Sequence, residues 1–180
     1  MSEPDVGTGV DEATRWALAA RHGDMPAAAA LIRATQTDVW RFTAGLVDPG
    51  AADDLAQETY LRAFRALPSF EGRSSARTWL FGIARRVCAD HIRATVRRRR
   101  ADASPLTPPG VADPASTVDA ADLLSRLSAD RREAFVLTQL VGLSYEEAAA
   151  VAGVPIGTIR SRVARARADL VAMLTAAMAI

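Results

Sequence analysis

Lysine is absent from this 180-residue chain, and all 22 basic side chains are arginine. One cysteine, Cys88, excludes an internal disulfide and reads as a small core filler. With only His22 and His91 beside it, no Cys/His cluster has metal-ligand spacing, so neither a metal nor another cofactor is expected. The opening Met-Ser-Glu-Pro-Asp lacks the basic and apolar regions of a signal peptide. No apolar run approaches the roughly 20 residues of a membrane span. A reducing, cytoplasmic setting is the expectation that follows. No alternating pattern marks a strand, and no glycine loop is built to cradle phosphate. His22 and His91 lie far apart with no partnered nucleophile, which leaves a nucleic-acid-processing enzyme without machinery.

The 49% hydrophobic content excludes wholesale disorder, and the net charge of +1 conceals a strong segregation. Residues 1–66 hold six arginines against ten acids, whereas residues 73–100 hold nine arginines against Asp90 alone. Four more arginines fall between Arg160 and Arg167. Two separate polyanion-facing surfaces on an otherwise acidic chain are the physical implication.

Between Ala101 and Thr117 the text holds four prolines and no aromatic residue, the composition of an extended linker. Helical periodicity flanks it. Upstream it predicts helices near 11–22, 25–46, 50–66 and 75–98, with Asp11 and Asp24 as caps. Trp16, Leu31, Val39, Trp40, Phe42 and Leu46 are the expected bulky core or near-core residues. Downstream it predicts helices near 118–127, 129–141, 145–152 and 155–175, with Gly142 stopping the second. The chain is expected to be all-α in two lobes.

Gly142 to Arg167 carries the sharpest signal, a helix-turn-helix with an arginine-rich second helix. Ser144 and Glu147 have capping-box spacing, Gly153 suits a tight turn, and Pro155 suits a helix start. In the second helix Ile159, Val163, Ala166 and Leu170 share one face, and Thr158, Ser161, Arg162 and Arg165 share another. Serine, threonine and arginine are the side chains that bond base edges and phosphates in the major groove. A plain solvated face shows similar arginines. The short turn and the Ala149–Gly153 spacing, which lets two helices cross closely, favour the DNA reading.

Two further faces stand out. In the helix after Gly50, Leu55, Ala56, Thr59, Ala63, Ala66 and Leu67 form one side, and Asp53, Asp54, Gln57, Glu58, Leu61 and Arg65 the other. A leucine among acids fits a docking surface for a basic protein helix, although a solvated face with dipole-favoured acids has the same look. In the helix from Ser75, Ala76, Trp79, Leu80, Ile83, Ala84 and Val87 are the expected buried stripe. Gly82, Arg85, Arg86 and Arg93 lie opposite, and Phe81 on the edge is expected to be partly exposed. His91 falls on the buried side. Basic groups beside an aromatic-containing loop, Phe70 to Ser75, suit single-stranded nucleic acid.

Three blocks in this order, Asp53–Phe64, Thr78–Arg93 and Pro155–Arg167, resemble the signature blocks of extracytoplasmic-function (group IV) sigma factors of bacterial RNA polymerase, over residues 12 to 175. The resemblance implies a sigma region 2-like domain at 11–100, a linker at 101–117 and a region 4-like helix-turn-helix domain at 118–176. It implies a promoter-specificity subunit, not an enzyme, whose partners are core RNA polymerase and promoter DNA. Asp54, Gln57, Glu58 and Leu61 would dock on the clamp helices of the β′ subunit, and the β flap would be a second contact. Ser74, Arg77, Phe81, Arg85, Arg86 and Arg93 would recognise and melt the minus-ten element and capture a flipped base. Thr158, Arg160, Ser161, Arg162 and Arg165 would read the minus-thirty-five element. Ala164 departs from relatives that carry a bulky aromatic there, leaving the preferred sequence open. The resemblance also leaves room for an anti-sigma factor as a further partner. A response-regulator-type helix-turn-helix regulator is the rival reading, since Gly-Leu-Ser-x-x-Glu-x-Ala also fits it; that rival requires an α/β domain upstream.

Overall fold

A computed structural model of the protein describes residues 11–101 and 120–178. The described residues form eight α-helices and no strand. These are α1 (Glu12–Ala20), α2 (Met25–Leu46), α3 (Ala52–Ala66), α4 (Ala76–Ala101), α5 (Ala120–Arg126), α6 (Ala129–Phe135), α7 (Tyr145–Ala152) and α8 (Ile156–Met178). The all-α expectation holds, and the α/β domain required by the rival regulator is not found in 11–101. Residues 102–117 of the expected linker lie outside the described residues, as do 118–119 and the N-terminal Met-Ser-Glu-Pro-Asp.

Local chemistry explains the helix starts. The Asp11 carboxylate accepts from the Thr14 N–H at 3.1 Å, and the Asp24 carboxylate from the Ala27 N–H at 2.9 Å. Alanines make the α1–α2 contact: Ala13, Ala17 and Ala20 bury against Ala27, Ala28 and Leu31, small residues that let two helices approach closely. Buried threonines are satisfied rather than orphaned. Thr43 donates to the carbonyl of Ala52 at 3.1 Å, tying α2 to α3, and Thr14 Oγ1 accepts from the Ala76 N–H at 2.7 Å, tying α1 to α4.

One hydrophobic cluster runs through both lobes, from Val39, Phe42, Leu80 and Val87 to Val136, Leu137, Ile159 and Val163. The lobes are packed, and α6 is where the structure departs from the expected continuous helix over 129–141. After Phe135 the chain widens into a π turn over Val136–Leu140, closed by the Val141 N–H on the Val136 carbonyl at 3.0 Å. The wider turn sends both Val136 and Leu137 into the seam, fully buried. Val136 lies against Gly45 of α2, where a Cβ would come within 2.8 Å of its Cγ2.

Trp40, Trp79 and Leu170 are less buried than expected. Trp40 is 43% exposed, because it lies a third of a helix turn past Val39, outside the α2 stripe that faces α4. Trp79 is only partly buried and rests on Phe70 at 4.8 Å between ring centroids. Leu170 is also only partly buried, next to Asp169, which pairs with Arg131 of α6. Cys88 is buried as expected, and burial pushes its thiol up to about 12, with Glu133 adding to the shift. A thiol with a raised folded-state value stays protonated where the unfolded chain has ionised. Its contribution to stability is therefore complete below about pH 8.5 and is lost as pH climbs toward the folded value. We expect iodoacetamide at about pH 8.5 to leave Cys88 unlabelled in the folded chain and to label it in denaturant, read by mass spectrometry; rapid native labelling would show the site to be open.

Candidate nucleic-acid interface

The helix-turn-helix is built as its text specifies. Ser144 Oγ accepts from the Glu147 N–H at 3.1 Å, and Glu147 returns the bond to the Ser144 N–H at 2.9 Å, closing the capping box. Gly153 ends α7 in the left-handed region at φ 69°, a conformation that favours glycine. Ile159, Val163 and Ala166 are buried, which fixes the roll of α8. Arg160, Ser161 and Arg165 are then exposed, while Thr158 is half-buried. Arg162 falls on the flank and ion-pairs with Asp130 of α6. Arg131–Asp169 at 2.6 Å and Arg167–Gln139 at 2.6 Å also fasten α8 to its neighbours.

The expected melting face is less open. Phe81 is fully buried, packed edge-on against Phe42 at 5.4 Å, so the expected partial exposure is corrected: its ring falls between α2 and α4 and supports the helix from below. Arg77 donates from Nη2 to Asp38 and to the Val141 carbonyl, both at 2.9 Å. Arg85 ion-pairs with Glu133. Both arginines hold the lobe seam, which Ser75 joins by donating to Glu147 at 3.3 Å. Arg93 pairs with Asp90 at 2.5 Å. Arg86 is exposed, with its Nε on the Gly82 carbonyl of its own helix at 3.0 Å. In the loop before α4, Phe70 is buried, Ser74 is exposed, and Gly72 takes φ 71°. A cavity of about 230 Å³ opens there between Ser69, Phe70, Glu71, Arg73, Ser74 and Trp79.

On α3 the two faces divide as expected. Leu55, Thr59 and Ala63 are buried, Asp53, Asp54 and Gln57 are exposed, and Leu61 is 53% exposed. Glu58 is half-buried because Arg62 bridges it, at 2.7 Å, to Asp90 of α4, also at 2.7 Å. Those contacts raise the Arg62 guanidinium, Asp90 first, and hold Asp90 below its ordinary value, Arg62 first and Arg93 second. The sequence reading missed this network, whose members sit on different helices. It also missed a groove of about 700 Å³ between α2 and α3, where Trp40 and Tyr60 line the wall beside Asp53 and Gln57. Tyr60 is anchored to Thr35 at 2.8 Å, and its hydroxyl is pushed up to about 12, chiefly by burial. The position of Trp40, next to a buried valine rather than in line with it, was the available signal. His91 is half-buried, with Thr95 at 3.5 Å.

Comparison with known proteins places these faces in context. The sigma-70 region 2 family model matches residues 31–98, and the sigma-70 region 4 model matches residues 118–170. The probable RNA polymerase sigma-C factor of Mycobacterium bovis is 54% identical over 170 residues, covering 90% of this chain and 91% of that protein. Among solved structures, CnrH in complex with the cytosolic domain of CnrY superposes with a TM-score of 0.71 at 28% identity, over 92% of this chain and 99% of that one. The sigma factor RpoE in complex with the anti-sigma factor NepR from Bartonella quintana gives a TM-score of 0.67 at 34% identity, over 80% and 94%.

Proposed function

The chain belongs to the extracytoplasmic-function sigma factors of the sigma-70 family, and on that premise we propose how its surfaces divide the work of an alternative sigma factor that directs promoter-specific transcription by core RNA polymerase. The division assigns core docking and the minus-ten element to residues 11–100, and the minus-thirty-five element to 118–176. The observation that carries it is the α8 geometry: Arg160, Ser161 and Arg165 are exposed on a helix whose opposite side is locked by Ile159, Val163 and Ala166. A rigid helix with serine and arginine outward suits the major groove. Thr158 sits beside them, and Arg162 serves at the flank.

For docking, Asp54, Gln57 and the half-buried Glu58 surround the exposed Leu61, a polar rim with one apolar anchor suited to the β′ clamp helices. The β flap is a further contact of the C-terminal lobe. For the minus-ten element, the cavity beside Ser74 is the receptor for an extruded base, and Arg86 and Arg93 neutralise the strand. Arg85 joins them only when the seam parts, since here it pairs with Glu133; parting also frees Arg77 from the Val141 carbonyl, while Asp38 of the same lobe keeps its bond to it. The chain itself catalyses nothing in this scheme, because bond formation belongs to the polymerase. No described helix is long and apolar enough to cross a membrane, and the place of action is the cytoplasm. An anti-sigma factor is a further partner.

Run-off transcription with purified core polymerase over a promoter library tests the assignment. Arg165→Ala should cost about 1–3 kcal/mol on the matched upstream element and relax discrimination at one or two positions. A uniform loss on every sequence, with a shallower salt dependence, would make Arg165 a phosphate clamp instead. Absence of any promoter-dependent transcript with the parent protein overturns the reading itself.

A further inference from the structure

Four of the arginines assigned to DNA are bound to carboxylates of the same chain: Arg77 to Asp38, Arg85 to Glu133, Arg93 to Asp90 and Arg162 to Asp130. Only Arg85–Glu133 spans the seam, so parting the lobes releases Arg85, whereas Arg77–Asp38 and Arg93–Asp90 lie within the N-terminal lobe. The Arg162–Asp130 pair lies within the C-terminal lobe, between α6 and α8, so it too persists whatever the lobes do, and it is the one at the reader helix. Its exposure is also uneven. The Asp130 side chain is 66% exposed and that of Arg162 only 21%, so the carboxylate is the outer partner, at the rim of the reader helix. Nη2 of Arg162 is the donor, and the other guanidinium nitrogens have no partner among the described residues.

A carboxylate and a phosphate present the same kind of oxyanion to a guanidinium. A DNA phosphate arriving at this flank must displace Asp130 or lie beside its charge, and either raises the cost of contact on any sequence. We propose that Asp130 is a built-in phosphate competitor: it occupies Arg162 in the free chain and keeps binding to duplex DNA of arbitrary sequence weak. The inference rests on α8 being the duplex reader. It deepens that reading by naming a residue outside the reader helix that limits its affinity, and it accounts for an acid at the rim of a surface otherwise made for phosphates. A chain so restrained engages a promoter through the polymerase rather than being drawn off by bulk DNA.

The full chain and its variants Asp130→Asn, Arg162→Ala, the double variant and Arg165→Ala are titrated against a fluorescein-labelled 25-base-pair duplex of arbitrary sequence, from about 50 to about 200 mM salt. Asp130→Asn should bind about threefold tighter or better at the low end, with a log–log salt slope steeper by about 0.9, the signature of one added phosphate contact. The gain should vanish in the double variant. Parent-like affinity and slope in Asp130→Asn overturn the proposal. So does a gain that survives Arg162→Ala, which would mark a general charge effect, and so does weaker binding, which would make Asp130 a support for Arg162. Asp130→Ser, also suited to the first turn of α6, repeats the measurement should the asparagine variant fold poorly by circular dichroism. If neither Arg162→Ala nor Arg165→Ala alters duplex binding, the reading of α8 fails. If they weaken it while Asp130→Asn does nothing, only the competitor fails.

Discussion

Gly45→Ala should part the two lobes of the free protein, although it places a better helix former in α2. Alanine for glycine inside a helix ordinarily stabilises by about 1 kcal/mol. Here the added methyl would stand 2.8 Å from Cγ2 and 3.0 Å from Cγ1 of Val136, so neither branch of that valine offers room. Overpacking a fixed site costs about 1–3 kcal/mol, which outweighs the helix gain. The strain falls on the seam, because Val136 sits on the other lobe's π turn and its neighbour Leu137 is also fully buried. Around it the seam holds through the Arg77 bond to the Val141 carbonyl, Arg85–Glu133, Ser75–Glu147 and the weaker Arg132 bond to the Leu46 carbonyl at 3.4 Å. Small-angle scattering should show a larger radius of gyration for Gly45→Ala, and the thermal midpoint should fall. Adding Val136→Ala removes both branches and should restore compactness. A higher midpoint with unchanged dimensions would show that the seam yields and that Gly45 is not its close contact.

That seam marks the boundary of what the sequence discloses. Elements written in local chemistry were legible: the Asp11 and Asp24 caps, the Ser144–Glu147 box, the left-handed Gly153 and the buried stripe of α8 all depend on residues a few positions apart. So was the face of α3 that carries Asp54, Gln57 and Leu61, since helical spacing alone separates it from Leu55 and Thr59. Partners of long side chains were not legible. Arg77 meets Asp38, Arg85 meets Glu133 and Arg162 meets Asp130 across 39, 48 and 32 residues, and a helical wheel assigns such arginines to solvent or to a polyanion with equal ease. Phe81 failed for a related reason. It sits at the edge of the α4 stripe, and only the position of Phe42 on α2 decides that this edge is closed. The π turn was hidden as well, because Val136 and Leu137 fit a continuing α-helix until both must enter the seam at once.

The loop before α4 carries the other large expected effect. Extruding a base from the duplex costs a few kcal/mol, and that cost is returned only where a pocket receives the base. The cavity beside Ser74 is floored by the Phe70 and Trp79 rings and edged by Glu71 and Arg73, which pair with one another at 2.5 Å. Ser74 is exposed at its mouth and makes only a 3.4 Å bond to the Ser75 carbonyl, so it is replaceable without loss of a structural contact. Ser75 is not, since its hydroxyl accepts from the Thr78 N–H at 3.1 Å and starts α4. Arg77 is equally unsuitable as a probe, because its removal would also loosen the seam. Ser74→Leu should fill the mouth, leave core binding and duplex binding unchanged, and reduce strand opening by about tenfold or more, equivalent to about 1.4 kcal/mol of the lost return. Permanganate footprinting of unpaired thymines reads the opening directly. A template already mismatched across the minus-ten region should restore the variant to the parent's level, since no base then has to be unstacked. Equal footprints from variant and parent on the intact duplex would reduce the loop to a connection between two helices, and minus-ten recognition would then rest on Arg86 and Arg93 together with Arg85, which the parted seam releases.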